Sequence, residues 1–255
     1  MLESLARAGF LGYGVLHLLF GWLIVRIAFG GKPADGDQSG ALQALAAKPF
    51  GAALITLIVL GLAAMAIWQL GEAVAGHRGE RGRHRVYERV VSAGRAAFYV
   101  YLGVSGVKVL RGKHTSSADT QQRAGEDLMA STGGRFTVGA VGVAVAAIGT
   151  GLVIYGLTGK FEKHLRTRRM TKPARRISRP LGVVGYAAKG AGYGIAGVLF
   201  VIAAVRYDPE KARGLDAALR ALAQQAYGPW LLLLTAVGFA AYGLFSIAEA
   251  KYREV

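Results

Sequence analysis

No cysteine occurs anywhere in the 255 residues. Its absence removes a disulfide framework, a thiolate metal site and covalent haem attachment. Acidic residues are scarce: 15 Asp and Glu stand against 31 Lys and Arg, so the chain carries +16 at neutral pH. In a soluble protein that excess would point to nucleic acid. The six prolines, at 33, 49, 173, 180, 209 and 229, avoid the interiors of the apolar runs, so proline supplies no broken helix of the transporter kind. Catalytic strings are missing as well. No HExxH, GxSxG or P-loop pattern is present, and GYGxxG-like strings fall inside apolar runs with no preceding strand. Neither an enzymatic activity nor a cofactor or metal site is expected.

What the sequence has is hydrophobic length. Apolar residues make up 53% of the chain, and they gather in runs at about 7–29, 49–74, 90–110, 136–157, 182–205 and 229–248. Each is near the ~20 residues that carry a helix across a ~30 Å hydrocarbon core. Because no water is available there, backbone groups must pair within the segment, so these runs predict helices. The first is longer than a signal-peptide core of ~7–15 residues, and no small-x-small site follows it, so it is expected to remain in the protein. The fold class expected is an all-α membrane protein, a six-helix bundle forming one domain over 1–255.

Charge sets the expected orientation. Residues 76–89 carry five Arg and residues 160–180 carry nine Lys or Arg, whereas the other three loops together hold eight. Basic loops stay cytoplasmic, which places both termini in the cytoplasm, with the bacterial inner membrane as the expected location. The basic face is read as a contact for anionic lipid, with no nucleic acid expected. Arg166, Arg168, Arg169, Lys172, Arg175, Arg176 and Arg179 are the residues expected to meet lipid or a membrane-protein partner, a second copy of the chain included.

An internal repeat is the most informative feature. ALQALAAKPFG (41–51) aligns without gaps on ALRALAQQAYG (218–228), and the same register brings Gly61 onto Gly238 and Glu72 onto Glu249. IYGL (154–157) aligns with AYGL (241–244), which adds Gly151 and Glu162 to those two sets. Among the odd runs, Tyr13, Arg95 and Lys189 coincide, as do His17, Tyr99 and Tyr193. The units fall at about 1–76, 77–165 and 181–255, with a basic linker at 166–180. Each unit crosses twice, so all three share one orientation, and three parallel hairpins around a pseudo-threefold axis are predicted. Glycine is expected to pack them: Gly190, Gly194 and Gly197 on one helix, and Gly142, Gly149 and Gly156 on another.

The segments ARAGFLGYG (6–14), AGRAAFY (93–99) and GYAAKGAGY (185–193), with ALxALA…G before the even runs, resemble a bacterial membrane family known as domain of unknown function 1206. The resemblance covers essentially the whole chain and implies three tandem two-helix membrane repeats. It implies no activity. Two departures stand out: Tyr13 where the other copies are basic, and EDLMAS (126–131) in place of a clean ALxALA in the middle copy.

Two groups of residues are candidates for chemistry. His17, Tyr99 and Tyr193 share one depth near mid-membrane, and a polar tip facing lipid would forfeit its hydrogen bond, so they are expected to point inward as a polar ring. An axial haem ligand would need a second histidine at that depth, and His77, His84, His114 and His164 all lie in or beside loops. Toward the termini side, Glu72, Glu162 and Glu249 are expected to end the even helices and to pair with basic residues of the odd ones, Arg95 and Lys189 foremost. The function expected is non-catalytic binding of lipid or a partner complex through the basic face. The alternative is a small channel or transporter along the axis.

Overall fold

The computed structural model describes residues 2–31, 35–76, 82–113 and 116–253. Six long helices dominate: α1 (Leu2–Ala28), α3 (Gly51–Ala75), α4 (Gly82–Leu110), α6 (Thr132–Leu157), α7 (Lys172–Arg206) and α9 (Gly228–Tyr252). All six are long and apolar enough to cross a membrane, and the chain is a multi-pass membrane protein. Three shorter helices, α2 (Gln38–Ala46), α5 (Ser117–Met129) and α8 (Leu215–Ala223), lie in the loops that join the two long helices of each hairpin. Side chains fix where several of these begin. Asp37, Ser116, Ser131 and Thr171 each accept a bond from a backbone N–H in the first turn of α2, α5, α6 and α7.

Close backbone approach at glycine is one of the things that hold the bundle, as expected in hydrocarbon surroundings. On α6, the buried positions are Val138 and the glycines Gly142, Gly149 and Gly156, spaced to form one stripe that lies along α7. A Cβ on Gly142 would meet the Gly197 carbonyl at 2.8 Å, and one on Gly14 of α1 would meet the Gly243 carbonyl of α9 at the same distance. Helices therefore neighbour one another in the order α4, α3, α1, α9, α7, α6. Large side chains fill the middle, among them Phe10, Tyr13, Tyr99, Phe161, Tyr186, Tyr242 and Phe245. At the hairpin-loop side, Phe50, Phe136, Tyr227 and Trp230 are all more than 70% exposed at the starts of α3, α6 and α9, the level at which aromatic belts mark a bilayer edge.

Two sequence expectations shift. Residues 172–180 of the expected linker are helical, the first turns of α7, and Pro180 sits inside that helix. Glu162 does not end α6, which stops at Leu157; it lies in a 3-10 turn, Lys160–His164, beyond Gly159 with its left-handed backbone (φ 66°). Pro49 lies in the turn before α3. Arg168's side chain, His77 and His114 lie outside the described residues.

Candidate functional site

The middle of the bundle is built on Tyr13 and Lys189. Both are buried, and the Lys189 ammonium donates to the Tyr13 hydroxyl at 2.7 Å. The same Nζ lies 4.2 Å from the Tyr242 ring centre, 5.0 Å from that of Tyr13 and 5.9 Å from that of Tyr193. Ring faces attract a cation, so aromatic rings do part of what a carboxylate would otherwise do. His17, one turn beyond Tyr13, is fully buried, and its Nδ1 lies 2.9 Å from the Tyr13 carbonyl oxygen. A carbonyl only accepts, so the proton is assigned to Nδ1 and Nε2 carries the lone pair. Nε2 has no hydrogen-bond partner in the protein.

The expected ring of His17, Tyr99 and Tyr193 does not form as such. His17 and Tyr99 both pack edge-on against Tyr13, at 4.3 and 5.2 Å between ring centres, and half-buried Tyr193 reaches Lys189. Tyr13 occupies the middle that the ring was expected to close. The reason is the departure in the first repeat: a phenol there, instead of a base, gives Lys189 an acceptor and avoids a second buried cation.

Charge pairing toward the termini side also differs from the expectation. Glu249 is buried and pairs with Arg253, four residues on in sequence, and not with Lys189 or Arg95. The Arg253 guanidinium stacks over Phe10 and Trp68, at 4.8 and 5.6 Å, and its backbone forms a bridge with Leu165. With Arg166 N–H donating to the Tyr252 carbonyl at 2.7 Å, the C-terminal turn is sewn to the connection between α6 and α7. Glu162 pairs with Arg179 at 3.0 Å and Arg175 at 3.8 Å, both on the first turns of α7. Glu72 is half-buried near the end of α3, and Arg95 is exposed. Arg169, Lys172, Arg175, Arg176 and Arg179 are exposed, and Arg166 is half-buried.

The hairpin-loop side holds a feature that loop-charge counting hid. Arg213 binds one carboxylate from each repeat: Asp35 at 3.2 Å, Asp119 at 2.7 Å and Asp216 at 2.8 Å, with Gln122 at 2.6 Å. Asp216 is tied further, accepting from Arg220 at 2.7 Å and from the Gly36 N–H at 2.7 Å. Burial pushes the Asp216 carboxyl up, but the bonds from Arg220, Arg213 and Gly36 outweigh it and hold the group below the usual range. Burial raises Asp35 and Asp37, the latter despite its bonds from Ser39 and Gly40. Asp residues flanked by glycine in 35–37 were the available signal, and a rule that counts bases and disregards acids passes over it.

An apolar crevice of about 120 Å³ lies between α7, α8 and α9, lined by Ala188, Gly192, Leu219, Leu234 and Phe239 among others. Its one polar liner, Thr235, already donates to the Leu231 carbonyl. The described residues contain no group of three or more His, Cys, Asp or Glu placed to hold a metal ion.

The model of the family described as Domain of Unknown Function (DUF1206) matches the chain three times, over residues 8–76, 90–159 and 184–253. A protein of Bacillus subtilis strain 168, with the printed name "Uncharacterized protein YxxB", is 27% identical over 255 residues, covering all of this chain and 92% of that one. No solved structure matches.

Proposed function

Because the chain belongs to the Domain of Unknown Function (DUF1206) family, whose description brings no activity with it, we propose from the geometry that it is a non-catalytic protein of the bacterial cytoplasmic membrane that holds anionic phospholipid headgroups on its termini side. The observation that carries this is the start of α7. At 1.5 Å per residue its 35 residues run about 52 Å, well beyond a ~30 Å hydrocarbon core, so one end must stand in the headgroup region. That end displays Lys172, Arg175, Arg176 and Arg179 to the surroundings, with Ile177 60% exposed between them. Long basic stems beside an exposed apolar residue suit the edge of a bilayer, where each base is worth about 1 kcal/mol against anionic lipid.

The positive-inside rule puts this face, and both termini, in the cytoplasm. Cysteine labelling tests the orientation. An impermeant reagent applied to intact cells should modify Arg123→Cys and spare Thr171→Cys, and the reverse pattern overturns the assignment. For the lipid reading, the Arg175→Gln/Arg176→Gln variant leaves Arg179 on Glu162. It should retain phosphatidylglycerol about thirtyfold less well than the parent in nanodiscs of mixed composition. Equal retention by a folded variant would end the proposal. Conduction along the axis is not favoured, because Tyr13, Tyr99, Tyr186 and Tyr242 fill it, with neighbouring ring centres 5.2–6.1 Å apart.

A further inference from the structure

The repeat register gives each hairpin the same small-residue seam between its two long helices. Gly12, Gly94 and Ala188 immediately precede the matched set Tyr13, Arg95 and Lys189, and Gly61, Gly151 and Gly238 are matched on α3, α6 and α9. In the first hairpin the seam is closed: a Cβ on Gly12 would stand 2.9 Å from the Gly61 Cα, and a Cβ on Gly61 equally close to Gly12. In the third it is closed too, with Gly238 directly against Ala188. In the middle hairpin a Cβ on Gly94 or on Gly151 would meet nothing within 4 Å, and α4 and α6 do not pack along each other. A second, independent difference sits next to it. Tyr13 and Lys189 are buried at their shared position, whereas Arg95 is exposed and pairs with no carboxylate among the described residues.

We infer that the middle hairpin is a lateral gate in the bundle wall: α4 and α6 close along Gly94 and Gly151, and in the open form shown here the chain of an anionic phospholipid lies between them with its headgroup on Arg95. The small residues that allow close approach are retained on both faces. Space between helices inside hydrocarbon does not stay empty, because lining atoms without partners lose their dispersion contacts, and an acyl chain is what the surroundings supply. Arg95 selects the headgroup. It lies five residues, about 7.5 Å along the helix, inside the expected edge of the span at 90, within reach of a phosphate for a snorkelling arginine. The inference does not rest on the basic start of α7, since none of those residues takes part.

Crosslinking tests it in a chain with no native cysteine. The Gly94→Cys/Gly151→Cys variant, oxidised in vesicles, should crosslink within one chain. The yield should be severalfold lower in phosphatidylglycerol than in phosphatidylcholine, and Arg95→Gln should abolish that difference. Gly125→Cys/Ala212→Cys is the control, because a Cβ on Gly125 would lie 3.0 Å from the Ala212 Cβ in the knotted loops. Crosslinking of the control without the gate pair in either lipid would show that the seam does not close. Crosslinks between two chains would make the face an interface between copies. A yield indifferent to headgroup would remove the lipid from the proposal.

Discussion

Where Gly61 touches Gly12 and Gly238 touches Ala188, the equivalent Gly151 touches nothing, so three hairpins that read alike in sequence are packed in two different ways. The contrast continues at the hairpin-loop side. Arg213 binds a carboxylate from every repeat, but Asp35 and Asp216 are 5% and 2% exposed while Asp119, the arm from the middle repeat, is 50% exposed. The first and third repeats are thus closed within their own hairpins, whereas the two long helices of the middle repeat pack on neighbours instead, α4 on α3 and α6 on α7, and its arm to Arg213 is the exposed one. Packed interfaces have discrete arrangements, so a small looseness in one repeat can support a second state without loosening the others.

The largest effect should come from Arg213. Arg213→Ala leaves Asp35 and Asp216 buried with less compensating charge, which costs about 3–5 kcal/mol when a buried pair is broken. Asp119→Asn removes only the half-exposed arm and should cost under about 1 kcal/mol. Equilibrium unfolding in detergent measures both. Equal losses would mean the middle repeat is as firmly held as the others.

Seam substitutions probe the same contrast within the bundle. Gly61→Ile and Gly238→Ile push a branched side chain into backbone and should each cost about 1–3 kcal/mol or more. Gly151→Ile enters open space and should stay within about 0.5 kcal/mol. A Gly151→Ile variant as unstable as the other two would show that the closed middle seam is the dominant state.

How far all this could be read beforehand depends on whether the signal is local. The six spans follow from apolar length alone, and the helices fall where the runs do. The repeat register matches the residues that meet in the first and third hairpins, Gly12 with Gly61 and Ala188 with Gly238. It could not say that one seam is open, because Gly94 and Gly151 are small whether or not they meet. Glu162 finds its bases on an odd long helix as expected, but it and Glu249 take partners other than Arg95 and Lys189 for a related reason. A glycine turn after α6 moves Glu162 off the helix onto Arg179 and Arg175, and a return of the chain end to Leu165 places Arg253 over Phe10 and Trp68. Both depend on where separate segments come to lie, as does the Arg213 knot, whose partners are 94 and 178 residues away in sequence.

A smaller effect is expected in the centre. Tyr13→Phe removes the acceptor from Lys189 and should cost about 1–3 kcal/mol, the usual range for a buried polar group left unpaired. Adding Lys189→Met should recover much of that loss, because both polar partners are then gone. Arg95→Met, at the matched position of the open hairpin, should cost little in unfolding experiments. If it cost as much as Tyr13→Phe, Arg95 would be part of the packed centre and the contrast between hairpins would fail there.

The smallest effect is the pH response of the loop knot, and its sign is not that of ordinary acid unfolding. Asp216 is held below its ordinary value of 3.8, so its stabilising contribution is present above that value and is lost as pH falls through the depressed one. Asp35 and Asp37 are raised, so their contribution is complete at low pH and is lost as pH rises from 3.8 through their higher values. Acidification from neutrality should therefore leave the knot unchanged or tighten it until about pH 4, and loosen it only below, where Asp216 takes its proton. Amide hydrogen exchange in α8, corrected for the intrinsic pH dependence of exchange, should show protection that holds or rises and then falls. Exchange in α5, tied in through half-exposed Asp119, should change less over the same range. Protection in α8 that declines steadily from pH 7 downward would mean that the Asp35 and Asp37 carboxylates stabilise the knot in their charged forms, and that the buried arms of Arg213 behave no differently from the exposed one.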